Sequence, residues 1–234
     1  TLLRSSLEKF KEMKKEDRLL KDDPETKRKD INRSENQYPA DGLVLRVHSR
    51  DLPRPAGSRA QDPGDWRTHA LNVDHAWFRK AEMEQFFPKI IQAKHTYDFP
   101  KDLVARLSRI HLVDNVRGQV PSYPADAVKD AEIKATIVKV KKGCAEMTLE
   151  GKVKLEMEGR SFEGTFYGEA VFDPAKKKFT KFELAASGTR TGRSQYNARE
   201  DDTAAAPIGF VFTLVGDKPQ DKVAPAELGA YGWR

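Results

Sequence analysis

The segment from Met147 to Met157 alternates between two kinds of residue, and this pattern constrains the fold of the 234-residue chain most strongly. Its odd positions are apolar or glycine, and its even positions are threonine, glutamate or lysine. A period of two is typical of a β-strand with one face in a core and the other in water. The segment therefore predicts a half-buried strand, and it indicates no particular chemistry.

Neighbouring stretches show related patterns and are separated by residues that favour turns. We expect strands at residues 131–141, 144–158, 162–172, 178–187 and 207–216, and an earlier one at 43–49. Successive antiparallel strands with short turns form a meander, which one or two strands from the first half extend into a curled sheet or partial barrel. The sequence thus predicts an α+β fold that is mainly β.

Three segments show the spacing of amphipathic helices. Two short helices, at 79–87 and 100–112, are expected to cover the open face of the sheet or plug its mouth. A third, at 5–20, begins with the capping-box pair Ser5 and Glu8. Residues 21–41 are charged and poor in apolar side chains, which is typical of a linker. We therefore divide the chain into an N-terminal helix with a charged linker (1–35) and a β-rich domain (36–234).

Composition argues against two classes of partner. The net charge is +6, but basic residues alternate with acidic ones, as Lys152 and Lys154 do with Glu150 and Glu156, whereas nucleic-acid binders cluster them. No apolar run approaches the roughly 18 residues that a membrane-spanning helix needs. We expect no nucleic-acid partner and no transmembrane segment. The single cysteine, Cys144, forms no internal disulfide and no Cys-x-x-Cys motif.

The densest group of metal-ligating residue types is His69, Asp74 and His75, flanked by Trp66 and Trp77. Imidazole and carboxylate are ligands of zinc, copper and iron. Residues 66–77 are expected to be extended. On such a straight strand His69 and His75 would stand roughly 20 Å apart, so a shared metal requires a turn between them. The alternative is that these residues form hydrogen bonds at a sheet edge. No other cofactor is predicted.

Arginines and one tyrosine form the candidate ligand-binding set. Arg117 follows the helix at 100–112 and either clamps a ligand carboxylate or pairs with Asp114 in a turn. Arg190, Arg193 and Tyr196 belong to the segment 188–207, which either closes over an anionic ligand or binds a partner, or is a disordered excursion of a hairpin. Both readings stay open for each.

A Ser/His/Asp set is present around the second covering helix. Ser108, His111 and Asp114 follow an i, i+3, i+6 spacing that places them near one side of a helix. No nucleophile-elbow motif accompanies them. His111 is therefore expected to be a partly buried histidine with hydrogen-bond partners.

The opening helix, from Ser5 to Lys11, followed by a charged linker, resembles the last helix of a thioredoxin-like domain. With the β-rich region downstream it is similar to extensions of bacterial secreted proteins of unassigned activity. The resemblance implies a non-catalytic tail in an extracytoplasmic or periplasmic location. Because the chain has no Cys-x-x-Cys, thioredoxin catalysis carries over to none of its residues.

Three functions are compatible with these patterns. The preferred one is a non-catalytic binding or interaction domain that holds a small ligand or docks a protein partner. Its aromatic core positions then line a chamber or simply fill the core, as in small barrels; they are Phe162, Phe166, Phe172, Phe210 and Phe212. The alternative is a metal-dependent enzyme with a site around His69, Asp74 and His75. A third is a structural domain held to its neighbours by the N-terminal helix.

Overall fold

The chain divides into two units, residues 1–37 and 38–234. The computed structural model describes residues 2–18, 34–53, 64–216, 218 and 221–233. In the first unit, helix α1 (Leu2–Glu12) begins and ends earlier than predicted and is followed by 3-10 turns at Lys15–Arg18 and Ser34–Gln37. Arg18 explains the early end, because its Nε donates to the Met13 carbonyl at 2.8 Å and its guanidinium also binds the Lys11 carbonyl. Much of the predicted linker, residues 21–33, lies outside the described residues.

The second unit is built on one sheet of eight antiparallel strands. They are β1 (Leu43–Asp51), β2 (Leu71–Phe78), β3 (Thr96–Asp98), β4 (Val128–Lys141), β5 (Cys144–Met157), β6 (Arg160–Asp173), β7 (Lys178–Gly192) and β8 (Ala206–Leu214). Their order across the sheet is β2-β1-β8-β7-β6-β5-β4-β3. Among the described residues no ladder joins β2 to β3, so the sheet stays open. The predicted α+β, mainly β fold and its antiparallel meander are confirmed.

Short helices accompany the sheet. They are α2 (Trp66–His69), α3 (Lys80–Met83), which continues as a 3-10 turn at Glu84–Phe86, and α4 (Lys101–His111). Helix α4 packs against β4, β2 and β5, and it buries Leu103, Val104 and Leu107. Pro100 precedes its first turn, where a missing N–H costs nothing. Two further 3-10 turns lie at Ala125–Ala127 and Leu228–Tyr231.

The core lies between α4 and the inner face of the sheet and is nearly filled. The five phenylalanines named above are all buried in it. The cavity beside Leu103, Leu107 and Phe182 has a volume of only about 10 Å³, roughly the room that one water needs. The phenylalanines therefore fill the core, and this space does not hold a small ligand.

Glycines alternate with large residues on β6 because the neighbouring strand passes close to them. Gly164 lies opposite Gly188 of β7. A Cβ on Gly188 would stand 2.2 Å from the Glu163 carbonyl oxygen and 2.6 Å from the Gly164 Cα, distances that no side chain tolerates. The close approach at this strand is thus an approach of two backbones.

Two predictions of local structure need correction. Residues 66–77 were expected to be extended, but Trp66–His69 form a helical turn whose N-terminus Asp65 caps by accepting from the Arg67 N–H at 3.0 Å. The strand expected at 178–187 continues to Gly192, paired throughout with β6. The connection to β8 is correspondingly shorter than predicted.

Candidate functional site

The C-terminal segment 221–233 covers part of the outer face of β1 and β2 and then passes over the edge of β2. A small second core forms there, in which Val44, Trp77, Ile110 and Tyr231 are buried together. Trp77 is wholly buried and contacts the Trp233 ring, with 6.4 Å between their centroids. The outer face of the sheet is therefore covered at this end by the segment 221–233.

A chain of hydrogen bonds, the C-terminal clasp (Asp74, His111 and Tyr231), fixes this segment. The Tyr231 hydroxyl accepts from the Trp77 backbone N–H at 3.1 Å. Its own proton then points to His111 Nε2, 2.6 Å away. His111 Nδ1 is left to donate to Asp74 Oδ2 at 3.0 Å, and Asp74 Oδ1 accepts from the Ala226 N–H at 2.9 Å. The clasp thus satisfies a backbone N–H on the open edge of β2.

The electrostatics of the clasp match this assignment of protons. Burial raises the pKa of Tyr231, so the hydroxyl keeps its proton and can donate it. Burial alone would raise the pKa of Asp74, but the hydrogen bonds from His111 and from the Ala226 N–H outweigh it and lower this pKa below its ordinary value. The carboxylate is therefore ionised and accepts from both His111 and Ala226.

Asp74, His111 and Tyr231 follow the carboxylate–imidazole–hydroxyl order of a nucleophilic triad, but the hydroxyl is not placed for catalysis. It is buried between Trp77 and His111, so a substrate does not reach it. The set Ser108, His111 and Asp114 considered from the sequence is not assembled, because Asp114 pairs with Arg199 instead. The clasp is a structural anchor, and the expected hydrogen-bonded role of His111 is confirmed.

Cationic side chains hold the last residues of the segment. The Arg79 guanidinium lies 4.4 Å from the centre of the Trp233 ring, and Trp233 Nε1 donates to Glu82 at 3.2 Å. Arg106 pairs with Glu82, and Arg109 Nη2 donates to the Ala230 carbonyl at 2.5 Å. Residues of α3 and α4, and Arg79 before α3, thereby bind the C-terminal segment.

A second polar cluster, the Arg–Asp network, is buried where β1, β7 and the turn after α4 meet. It consists of Asp51, Asp114, Arg117, Arg190, Arg199 and Asp202. Arg199 has no exposed surface, and its guanidinium binds Asp51 at 2.7 and 2.8 Å and Asp114 at 2.8 Å. All three guanidinium nitrogens of Arg199 therefore donate to carboxylates, which the planar, fork-like arrangement of their N–H groups allows.

The other two arginines close the network. Arg117 lies 2.9 Å from Asp51 and 3.3 Å from Asp202, and Arg190 lies 2.6 Å from Asp202. Burial would raise the pKa of Asp51, but the hydrogen bond from Arg199 and the charges of Arg199 and Arg117 lower it below its ordinary value. Three cations thus compensate three anions in a buried site.

The structure does not bring the predicted ligand-binding set together. Arg117 and Arg190 are buried, and their charges are already compensated within the network. Arg193 and Tyr196 lie on the surface, Tyr196 with 66% exposure, and Arg193 is 3.9 Å from Glu200. The alternative weighed for Arg117, a salt bridge, is realised with Asp51 and Asp202 rather than with Asp114.

The predicted metal ligands are also distributed over different places. Asp74 belongs to the clasp, His75 is the next residue on β2 and so faces the opposite side of the sheet, and His69 lies in α2. Among the residues that the structure describes, no group of three or more His, Cys, Asp or Glu side chains could hold a metal ion. The structure therefore does not assemble His69, Asp74 and His75 into one site.

A cleft of about 600 Å³ opens on the outer face, between the sheet and the segment 223–226. Its lining consists of Arg46, His48, Val73, Asp74, His75, Val223, Ala224 and Ala226. Arg46 is paired with Asp221. His75 Nε2 is buried and has no hydrogen-bond partner among the described residues. Burial, followed by the charge of Arg46, lowers the pKa of His75 below its ordinary value against the opposing effect of Asp74. The cleft therefore combines apolar surface and the neutral imidazole of His75 with two charged side chains, Arg46 and Asp74.

A row of outward-facing side chains, all exposed except the half-buried Ala185, continues from this cleft across the sheet. The ladders place Val73 opposite His48, His48 opposite Val211, Val211 opposite Ala185 and Ala185 opposite Tyr167. Exposure is 46% for Val73, 44% for Val211 and 60% for Tyr167. We call this set the outer row. It presents apolar and aromatic surface across five strands on a face where solvated charges would be expected.

Sequence reasoning missed the clasp, the cleft and the outer row. The aromatic pair Tyr231 and Trp233 near the end of the chain was the available signal for the clasp. No family model, curated protein or solved structure matches this chain, and the resemblance to thioredoxin-like extensions stays a prediction. Among the described residues, no helix has the length and apolar character needed to span a membrane.

Proposed function

We propose that the chain is a non-catalytic interaction domain that docks a protein partner on the outer face of β2, β1 and β8. The observation that carries this proposal is the outer row, which runs directly into the cleft lined by Val73 and His48. An apolar strip rimmed by polar residues is typical of protein-interaction surfaces. The cleft offers a pocket in which one partner side chain can be buried as an anchor.

The interior of the domain supports this choice over a ligand-holding barrel. The space between α4 and the sheet is filled, with about 10 Å³ left beside Leu103 and Leu107, whereas small-molecule sites usually offer about 300–1,000 Å³. Of the spaces described above, the one of suitable size lies on the outer face. Binding is therefore proposed there and not within the curve of the sheet.

The state of the titratable groups supports a non-catalytic role. The buried arginines and aspartates neutralise one another in the Arg–Asp network, and the imidazole of His111 is engaged at both nitrogens. A general base or nucleophile must instead reach a substrate within hydrogen-bond distance. The charged residues of the network and the imidazole of His111 thus form hydrogen bonds and ion pairs that stabilise the fold.

Site-specific photo-crosslinking in cells that express the chain tests the proposal. A benzophenone amino acid replaces Val73 in the outer row, and in a matched variant it replaces Val138, a similarly exposed valine on β4. We expect a protein adduct at position 73, identified by mass spectrometry, and none at position 138. Equal adducts at both positions, or none at position 73, would contradict docking on this face.

A small molecule as the true occupant gives a different result. Native mass spectrometry of the purified chain would show an organic adduct, and Val73→Glu would remove that adduct because the new carboxylate occupies the cleft. That outcome, without a protein adduct at position 73, would replace the proposed partner by a ligand at the same site.

A further inference from the structure

We propose that the partner docked on the outer face is a second copy of this chain, related to the first by a two-fold axis parallel to β8 at Val211. This inference rests on the proposed function and names its partner. It comes from the positions of the exposed side chains relative to β8. A two-fold interface requires a surface that is complementary to itself, and the outer row meets that requirement.

The two ends of the outer row lie at equal distances from β8. Val73 on β2 and Tyr167 on β6 are each two strands away, or roughly 10 Å at the usual spacing between strands. A two-fold axis along β8 therefore places Tyr167 of one copy over Val73 of the other. Tyr167 is the largest exposed side chain of the row, and Val73 lines the cleft. The long side chain thus faces a cavity at both ends of the interface.

The outer row allows two different two-fold axes, one parallel to β8 and one along the row itself. The charges beside the row favour the axis parallel to β8. Arg46, Thr213 and Glu183 form the adjacent row. Within one copy Arg46 pairs with Asp221 and Glu183 lies 3.2 Å from Lys181, and an axis along β8 adds a contact between Arg46 of one copy and Glu183 of the other. An axis along the outer row would instead place Arg46 opposite Arg50. Opposite charges across an interface favour one arrangement, while like charges cost free energy.

Contact away from the axis is made by side chains that stand out from the sheet. Tyr167 provides a long side chain at one end of the row. At the other end the segment 223–226 rises over the sheet to form the wall of the cleft. These two features extend the contact from β8 to the ends of the row.

Thiol crosslinking of the full chain tests the axis directly. Facing sheets stand about 10 Å apart, too far for a disulfide, so a short bismaleimide is used. The Cys144→Ala background removes the native thiol. In it, Val211→Cys places two thiols across the axis, whereas Val138→Cys places them on β4, four strands from β8. We expect a crosslinked dimer for Val211→Cys and monomer for Val138→Cys. Equal crosslinking of both, or of neither, overturns the proposal.

Sedimentation velocity of the unmodified chain supplies the second measurement. We expect a concentration-dependent dimer, and we expect Tyr167→Glu to raise its dissociation constant at least tenfold because it removes the anchor. Tyr196→Glu changes an equally exposed tyrosine outside the row and leaves the constant unchanged. A monomer at all concentrations, or equal effects of the two variants, overturns self-association. If the photo-crosslinked adduct at position 73 is a different protein, this inference fails while the proposed function stands.

Discussion

Arg199, in the connection between β7 and β8, binds Asp51 at the end of β1 through two hydrogen bonds of 2.7 and 2.8 Å, although 148 residues separate them along the chain. The same guanidinium binds Asp114 after α4. Three distant parts of the chain therefore meet at one fully buried cation. The network fixes a connection that the sequence left open as either a ligand-closing loop or a disordered excursion.

Replacing Arg199 tests how much of the fold depends on this cation. Arg199→Met leaves buried carboxylates without their main partner, and we expect it to lower the free energy of unfolding by about 3–5 kcal/mol. Arg193→Met, in the same connection but with a side chain 53% exposed, should change it by less than about 0.5 kcal/mol. Urea unfolding followed by circular dichroism measures both. Equal effects would show that the network does not stabilise the fold.

The lowered pKa of Asp51 makes the fold sensitive to acid. The folded-state pKa lies below the ordinary value of 3.8, so the contribution of this carboxylate is fully present above that value. It is lost as the pH falls through the folded-state pKa. We expect the free energy of unfolding to fall steeply below about pH 4, and Asp51→Asn to be less stable at pH 7 and less dependent on pH in that range. Urea unfolding at a series of pH values checks this, and an unchanged slope in Asp51→Asn would count against it.

The hydroxyl of Tyr231 is expected to anchor the C-terminal segment. Tyr231→Phe leaves the Trp77 N–H and the His111 imidazole without a partner in a buried place, which costs about 1–3 kcal/mol. Tyr196→Phe removes a hydroxyl from an exposed ring and should be close to neutral. Hydrogen exchange of the Trp77 amide provides a local readout, since it should accelerate only in Tyr231→Phe. Unchanged exchange there would mean that the edge of β2 is protected in another way.

The architecture of the sheet was predictable because its signal is local. Alternation such as that from Met147 to Met157 is set by which face of one strand is buried, and turn residues mark where the strand ends. Two details of local structure were not predicted, because the sequence pattern is too short or is interrupted there. The helical turn at 66–69 is too short to show a helical period, and the end of β7 contains Gly188, Arg190 and Gly192, which interrupt the apolar pattern.

The candidate site was not predictable because its residues come from distant parts of the chain. Arg190 and Arg199 look like solvated loop residues in the sequence, and only the fold shows that three aspartates surround them. The outer row likewise depends on the register of four ladders, since Val73, Val211 and Tyr167 are ordinary strand residues when each is taken alone. Asp74 and His75 were predicted as metal ligands, with hydrogen-bonded residues at a sheet edge as the alternative. Asp74 forms such hydrogen bonds, but alternation directs the two side chains to opposite faces.

Gly188 offers a test of the close approach between β6 and β7. Gly188→Ala would place its Cβ 2.2 Å from the Glu163 carbonyl oxygen, so the two strands must separate, and we expect a loss of at least about 1 kcal/mol. Gly229→Ala is the matched control, because nothing lies within 4 Å of its added Cβ. Thermal unfolding measures both variants. Equal melting temperatures of the two variants would show that β6 and β7 can separate at this point without a loss of stability.

The buried imidazole of His75 should add a second, milder dependence on pH. Its folded-state pKa lies below the ordinary value of 6.5, so the unfolded chain takes up this proton first and the fold loses stability as the pH falls below 6.5. We expect His75→Gln to remove this dependence, which amounts to at most about 1.4 kcal/mol per pH unit. His48→Gln, which changes an exposed imidazole of the same cleft, should keep it. Urea unfolding between pH 7 and pH 5 compares the three proteins, and a wild-type slope in His75→Gln would assign the dependence to another group.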